Sequence, residues 1–375
     1  MMTLWNAKNR FLRPVFSQGW GPVLMTMSLA LAGCAHEVIP QLPPQAATPA
    51  AKVEVAKTSS QGVTEPVRIA MPEVTSGLPS FDVWVEEFRR EALAAGIRAA
   101  TLDAAFDGVK PIERVIELDR KQPESVLTFE EYLARVVPAR RITIGREKLA
   151  QNRALLDEVS AKFKVPARFI VALWGIETDY GRLGGNFSVI ASLATLAYEG
   201  RRAALFRNQL LDALRILDAG DVALSDLRGS WAGAMGQTQF MPSTFRNYAV
   251  DFNGDGKRDP WNQLADVFGS AANYLSKIGW VNDETWGSEV RVPDNFNREF
   301  IGLQQSKPLA EWRALGVQGM EGAELANSKL TASLVQPSGP DGRAFLVYDN
   351  FRVLMQWNRS TYFGVAVGQL ADALD

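Results

Sequence analysis

Cysteine and histidine are almost absent from this chain. Its 375 residues include one cysteine, Cys34, and one histidine, His36, and both precede any core pattern. The part of the chain able to fold therefore has no Ser-His or Cys-His nucleophile. Nor has it a zinc or copper site built on His or Cys. Catalysis there is left to carboxylates, tyrosine, lysine, serine or a hard cation held by oxygen. A basic block is missing too. The net charge is -2 with no Lys/Arg cluster, which argues against nucleic-acid binding. An apolar run long enough to span a bilayer, roughly 18 residues, is also missing. The run from about Val23 to Leu31 is short, and Ser17, Gln18 and nearby glycines break its approach. What is present is 47% hydrophobic and 22% charged residues, the balance of a globular protein with a substantial core.

Lys8, Arg10 and Arg13, the short apolar run and the small residues after it read as a secretory signal. An uncleaved anchor is the alternative. The signal ends in Leu31-Ala32-Gly33-Cys34, which resembles the bacterial lipobox, in which the cysteine is lipidated and becomes the first residue. Several acyl chains anchor stably where one does not. Ala35 after the cysteine implies, by likeness to other lipoproteins, an outer-membrane lipoprotein facing the periplasm. Residues 35–78 are rich in Pro, Ala, Thr, Ser and Val and nearly lack aromatics, so they cannot bury enough apolar surface to order themselves. The expected plan is a signal over 1–33, a tether over 34–78 and a working region over 79–375.

From Phe81 the texture changes. Phe81, Trp84, Val85 and Phe88 recur at helical spacing. Helices are predicted over 100–106, 129–136, 140–163, 166–178, 192–219, 243–250, 267–278 and 360–374. Short strands are predicted over 332–337 and 343–348, around the turn Ser338-Gly339-Pro340-Asp341-Gly342. The fold class is mainly α (α+β), with a small β-containing C-terminal part.

The segment from Phe169 to Gly181 is apolar on all sides, so it predicts a buried helix. Glu177 lies near its C-terminal end, with Gly181 placed to stop it. Burial and the negative end of the helix dipole both disfavour a charged Glu177. A carboxyl kept protonated near neutral pH can donate a proton to a leaving oxygen. The segment alone fits equally a core-edge glutamate paired with Arg182 or Arg201. Asp179, two residues on, points elsewhere on a helix and reads as structural or solvated. Downstream, the glycines and small residues of 229–243 allow close approach of backbone and ligand. Ser230 and Gln239 there could bond a polar substrate; the bland reading is a helix-packing corner.

Together these elements resemble the lysozyme-like lytic transglycosylases, and more closely the lytic murein transglycosylase B family, glycoside hydrolase family 103. The likeness runs from Phe81 to the end. It includes Gln122-Pro123-Glu124, Trp174-Gly175-Ile176-Glu177-Thr178, Arg201-Arg202, the run from Ala234-Met235-Gly236 to Pro242, Asn350-Phe351 and residues 357–362. The resemblance implies a lysozyme-like core at about 160–285, a surrounding helical domain and Glu177 as the single acid and base. It puts Arg201, Arg202, Ser230, Gln239 and Tyr274 at substrate-contacting positions. Trp357 and Asn358 fall in the family's Tyr-Asn motif, with Trp in place of Tyr, which keeps a stacking face and loses a hydroxyl. The implied reaction cleaves the β-1,4 bond between N-acetylmuramic acid and N-acetylglucosamine and forms a 1,6-anhydro ring without a catalytic cofactor. The implied partners are peptidoglycan strands and, beyond them, cell-wall synthesis or division complexes; the implied state is a monomer.

Asp251-Phe252-Asn253-Gly254-Asp255-Gly256-Lys257 fits the first half of an EF-hand loop. Asp251, Asn253 and Asp255 supply oxygens, and Lys257 would give only its carbonyl. Position twelve is Asn262 rather than Glu; in the resembled family a later acid, here Asp266, closes the loop. The expectation is a structural calcium ion, against an ion-free Asp/Asn/Gly turn. Two other functions compete with the main reading. One is a hydrolytic muramidase that uses Glu199 or Asp226 to direct water. The other is a non-catalytic lipoprotein that binds the cell wall.

Overall fold

The computed structural model describes residues 79–121, 127–325 and 329–375. The signal, the tether, Cys34, His36 and Gln122-Pro123-Glu124 lie outside the described residues. The described residues belong to one compact unit. Among the described residues no helix is long and apolar enough to cross a membrane.

Helix α1 (Phe81–Ala94) begins at Ser80, whose hydroxyl accepts from the Val83 N–H, and it buries Phe81, Trp84, Phe88 and Ala92. Helices α2 (Ala99–Phe106) and α3 (Glu113–Arg120) follow. Helix α4 (Phe129–Val136) opens with a capping box between Thr128 and Glu131.

The helix predicted over 140–163 is two helices, α5 (Ala139–Gln151) and α6 (Arg153–Phe163). Asn152 breaks it: its side-chain amide donates to the Lys148 carbonyl, taking up an acceptor at the end of α5. Helix α7 (Ala167–Thr178) carries Glu177. The helix predicted over 192–219 is also two, α8 (Val189–Glu199) and α9 (Ala203–Ala219). Gly200, at φ 97°, ends α8 in the left-handed conformation that glycine adopts without steric cost. Helices α10 (Pro242–Tyr248), α11 (Leu264–Lys277), α12 (Leu309–Ala314), α13 (Asp349–Trp357) and α14 (Thr361–Ala373) complete the set.

Strands β1 (Phe187–Ser188) and β2 (Arg228–Gly229) form a small antiparallel pair. The other sheet contains β3 (Gly287–Arg291), β4 (Lys307–Pro308), β5 (Gln318–Gly319), β6 (Thr331–Val335) and β7 (Ala344–Val347). Its order is β4-β6-β7-β3-β5. The predicted hairpin is β6 and β7, with Leu334 opposite Leu346. Strand β7 is buried on both faces. Phe345 and Val347 join the large core, while Ala344 and Leu346 join a second core with Trp312 and Leu334. The period of two thus lets one strand serve two hydrophobic cores.

Candidate active site

Residues Phe169 to Gly175 of α7 are all buried. Gly175 has a packing reason, because a Cβ there would lie 2.7 Å from the Tyr180 ring. The helix stops earlier than Gly181. Asp179 (φ 51°), Tyr180 (φ 62°) and Gly181 (φ 84°) are left-handed in succession. For the first two that conformation costs roughly 1–2 kcal/mol each, so side chains must hold the turn. The Asp179 carboxylate accepts from Arg182 at 2.8 Å, Arg140 at 3.3 Å and Arg141 at 3.4 Å. The Tyr180 hydroxyl donates to the Arg141 carbonyl at 2.7 Å. Asp179 is therefore structural.

This turn holds Glu177 one residue from the end of the helix. Glu177 as a residue is half-buried, while protein crowds its carboxyl closely. Loss of hydration raises its pKa to about 7, and a hydrogen bond from Trp357 opposes that rise only in part. The Trp357 indole Nε1 donates to Glu177 Oε1 at 2.8 Å. Neither arginine of the alternative reading pairs with Glu177: Arg182 bonds Asp179 and Arg201 bonds Asp119. On α4, Tyr132 feels the Glu177 charge; burial first, then Glu177, raises its pKa. Sequence reasoning missed Tyr132, because nothing about a tyrosine in an amphipathic helix marks it.

The glycine-rich segment docks directly on α7. The Trp174 indole N–H donates to Gln237 Oε1 at 2.7 Å, and Gln237 Nε2 donates to the Trp261 carbonyl at 2.7 Å. The Thr178 hydroxyl donates to the Gln237 carbonyl at 2.9 Å. Gln237 was also missed; its signal was a second glutamine two residues before Gln239. Within the segment, Met235 bridges both Gly229 and Phe240. Gly229 fits only without a side chain, since a Cβ would fall 2.0 Å from the Ala234 carbonyl oxygen. Ser230 Oγ accepts from the Ala234 N–H at 3.0 Å. Gln239, at φ 51°, donates to the carbonyls of Gly184 at 3.2 Å and Gly236 at 3.0 Å.

Phe240 lies 5.3 Å from the Trp357 ring, and Tyr274 5.0 Å from it. The Tyr274 hydroxyl donates to the Gln356 carbonyl at 3.0 Å. Glu177, Trp357, Phe240 and Tyr274 thus form one connected group, and Ser230 and Gln239 belong to the loop that supplies Phe240. Asn358 is exposed immediately after Trp357. Among the described residues, Arg201 and Arg202 point their charges away from that group, to Asp119. Both bind the buried Asp119 of α3, Arg201 through Nε at 3.0 Å and Arg202 through a short contact, and the Arg202 guanidinium also covers the Phe206 ring at 4.9 Å.

The 251–257 loop closes on itself. Asp251 accepts from the N–H groups of Gly254, Asp255 and Gly256 at 2.7, 3.1 and 2.8 Å. Asn253 Oδ1 accepts from the Asp255 N–H, and Asp255 from the Lys257 N–H. Asp266, fully buried at the start of α11, accepts from Phe252 at 2.7 Å and Asp259 at 2.8 Å. The donor set consists of oxygens, three of them carboxylates, which suits a hard cation. Among the described residues, however, no three acidic, His or Cys side chains converge tightly enough to hold an ion alone. As folded, the loop is a self-capped turn.

A family profile described as a transglycosylase SLT domain matches residues 80–372. The membrane-bound lytic murein transglycosylase B of Escherichia coli strain K12 is 35% identical over 228 residues, 60% of this chain and 61% of that protein's length. SltB3 from Pseudomonas aeruginosa, solved in complex with NAG-anhNAM-pentapeptide, matches with TM-score 0.77 and 49% identity, covering 79% of each chain. Slt35 of Escherichia coli, solved in complex with calcium, matches with TM-score 0.66 and 27% identity, covering 80% of this chain and 94% of that one.

Proposed function

The chain belongs to the transglycosylase SLT domain family, and from that premise we propose that it is a peptidoglycan lytic transglycosylase with Glu177 as its acid and base. One observation carries the assignment: a carboxyl at the end of a buried helix, with a pKa of about 7 and, among the described residues, no basic partner. No second carboxylate contributes to its shift. Glu199 and Asp226, the two examples of a group that could direct water in a hydrolytic mechanism, each have another partner. Glu199 pairs with Arg120 at 2.9 Å, and Asp226 accepts from Ser225 at 3.1 Å.

The protonated Glu177 gives its proton to the oxygen bridging N-acetylmuramic acid and N-acetylglucosamine, and the muramoyl C1–O bond breaks. The neighbouring N-acetyl oxygen stabilises the cationic C1. The Glu177 carboxylate then takes the proton of the C6 hydroxyl, whose oxygen bonds to C1 and closes the 1,6-anhydro ring. Glu177 ends protonated, and no water is consumed. Ser230, Gln239, Tyr274, Trp357 and Asn358 line the approach to Glu177 in this reading. Arg201 and Arg202 act more remotely, along the strand. Glu177→Gln abolishes cleavage of purified peptidoglycan while leaving the fold intact, and wild-type products are lighter by one water than reducing ends. Cleavage at the wild-type rate by the variant would refute the assignment.

The lipobox-like Leu31-Ala32-Gly33-Cys34 supports lipidation at Cys34, attachment to the outer membrane and a site facing the wall. Cys34→Ala should move the protein from the membrane fraction to the soluble periplasmic fraction. The 251–266 loop is a structural calcium site in this reading, held by Asp251, Asn253, Asp255, the Lys257 carbonyl and Asp266. The oxygen donor set and the calcium complex of Slt35 support it. Calorimetric titration reading no heat at millimolar calcium would reject it.

A further inference from the structure

We propose that Trp357 is a positioning residue for the catalytic proton: its indole N–H occupies one oxygen of Glu177 and so assigns the proton to the other. The proposal rests on reading Glu177 as the acid and base. An indole N–H donates and cannot accept. Its partner, Oε1 at 2.8 Å, is therefore the carbonyl-like oxygen of the neutral carboxyl, which leaves Oε2 to carry the proton toward the substrate. Once that proton has moved to the leaving oxygen, the same N–H bonds an anion. Charge-assisted bonds of this kind are roughly twice as strong as neutral ones. The bond thus tightens as negative charge forms on Glu177, and stabilisation that grows along the reaction raises kcat rather than affinity.

The indole is held rigidly. Tyr274 packs edge-on at 5.0 Å and 77°, and Phe240 lies 5.3 Å away. The Tyr274 hydroxyl bonds the carbonyl of Gln356, the preceding residue. The indole also lines a small cavity shared with Leu173, Trp174, Thr238 and Phe268, which has no room for a water molecule.

The test is steady-state cleavage of peptidoglycan across pH by the full-length protein and its Trp357→Phe, Trp357→Tyr and Glu177→Gln variants. Trp357→Phe keeps an aromatic ring and loses the N–H. Its kcat should fall roughly ten- to hundredfold, the range for a hydrogen bond to a charged group, with KM nearly unchanged. Because the lost bond favours the carboxylate, the alkaline limb of kcat/KM should also move to higher pH. Trp357→Tyr restores a donor and should recover most of kcat. A higher KM at unchanged kcat in the Phe variant would mean the ring only stacks on sugar and would overturn the proposal. Equal losses in Phe and Tyr with an unmoved limb would mean a packing role and overturn it too. An inactive Glu177→Gln beside a wild-type Trp357→Phe defeats this proposal alone, whereas an active Glu177→Gln defeats the acid/base reading beneath it.

Discussion

Glu177 and Asp179 are two carboxyl groups two residues apart at the end of one helix, and their surroundings drive them in opposite directions. Burial raises both. At Asp179, hydrogen bonds from Arg182 and Arg140 and the charge of Arg141 more than offset burial, and its pKa falls below the usual value. At Glu177 the only opposing group is a neutral indole, so burial prevails and the pKa rises to about 7. The arginines thus go to the acid that holds the turn, and the acid beside it is left able to keep a proton. The ion cluster fixes a strained backbone, and that backbone aims a carboxyl that no charge neutralises.

Asp179→Ala should have the largest effect on stability. It removes the acidic partner that the three arginines share, of which Arg141 is itself largely buried. It also frees two non-glycine left-handed residues. Breaking a buried pair costs on the order of 3–5 kcal/mol, and chemical denaturation should show a loss of that order together with loss of activity. Next is the stability of Glu177→Gln. In the folded state Glu177 keeps its proton up to about pH 7, against 4.5 for the ordinary group. Its contribution is therefore fully present below pH 4.5 and is lost as pH rises through 7. Glutamine has no charge to bury, so the inactive variant should be more stable than wild type by about 3 kcal/mol at pH 8 and equal to it at pH 4. Melting curves at the two pH values check this. Asp179 has the reverse sign: its contribution is present above the ordinary aspartate pKa and lost as pH falls through its lowered one.

The buried helix and its candidate acid were legible in the sequence. The all-round apolar character of 169–176 called for a buried helix, and the near-absence of His and Cys left Glu177 with few rivals. Which of the two acids takes the arginines was not legible. Arg140 and Arg141 come from α5, and which of two nearby carboxyls they meet depends on packing between helices remote in sequence. The same limit hid Tyr132, and it hid Asp119, which takes both Arg201 and Arg202 from another part of the chain. Helix ends failed for a local reason: Asn152 and Gly200 each end a helix within what looked like one amphipathic run. Strands β1, β2, β4 and β5, two residues each, are too short for alternation to register.

Smaller changes sharpen the comparison by separating the turn's anchors. Tyr180→Phe removes the bond to the Arg141 carbonyl but keeps the ring against Gly175 and Trp174. It should cost about 1 kcal/mol and lower kcat modestly, because Glu177 would be aimed less tightly.

Arg182→Ala should do least. Its guanidinium makes the shortest of the three contacts to Asp179, at 2.8 Å, yet the side chain is 59% exposed. Water can take its place at the carboxylate, and exposed pairs are worth about 0.2–1 kcal/mol. Arg141, at 3.4 Å but only 15% exposed, should matter more than the shorter contact does. Comparing the melting temperatures of Arg182→Ala and Arg141→Ala therefore ranks burial against distance within one cluster. An Arg182→Ala loss larger than that of Arg141→Ala would mean that contact length, rather than desolvation, sets the strength of the anchor that holds Glu177 in place.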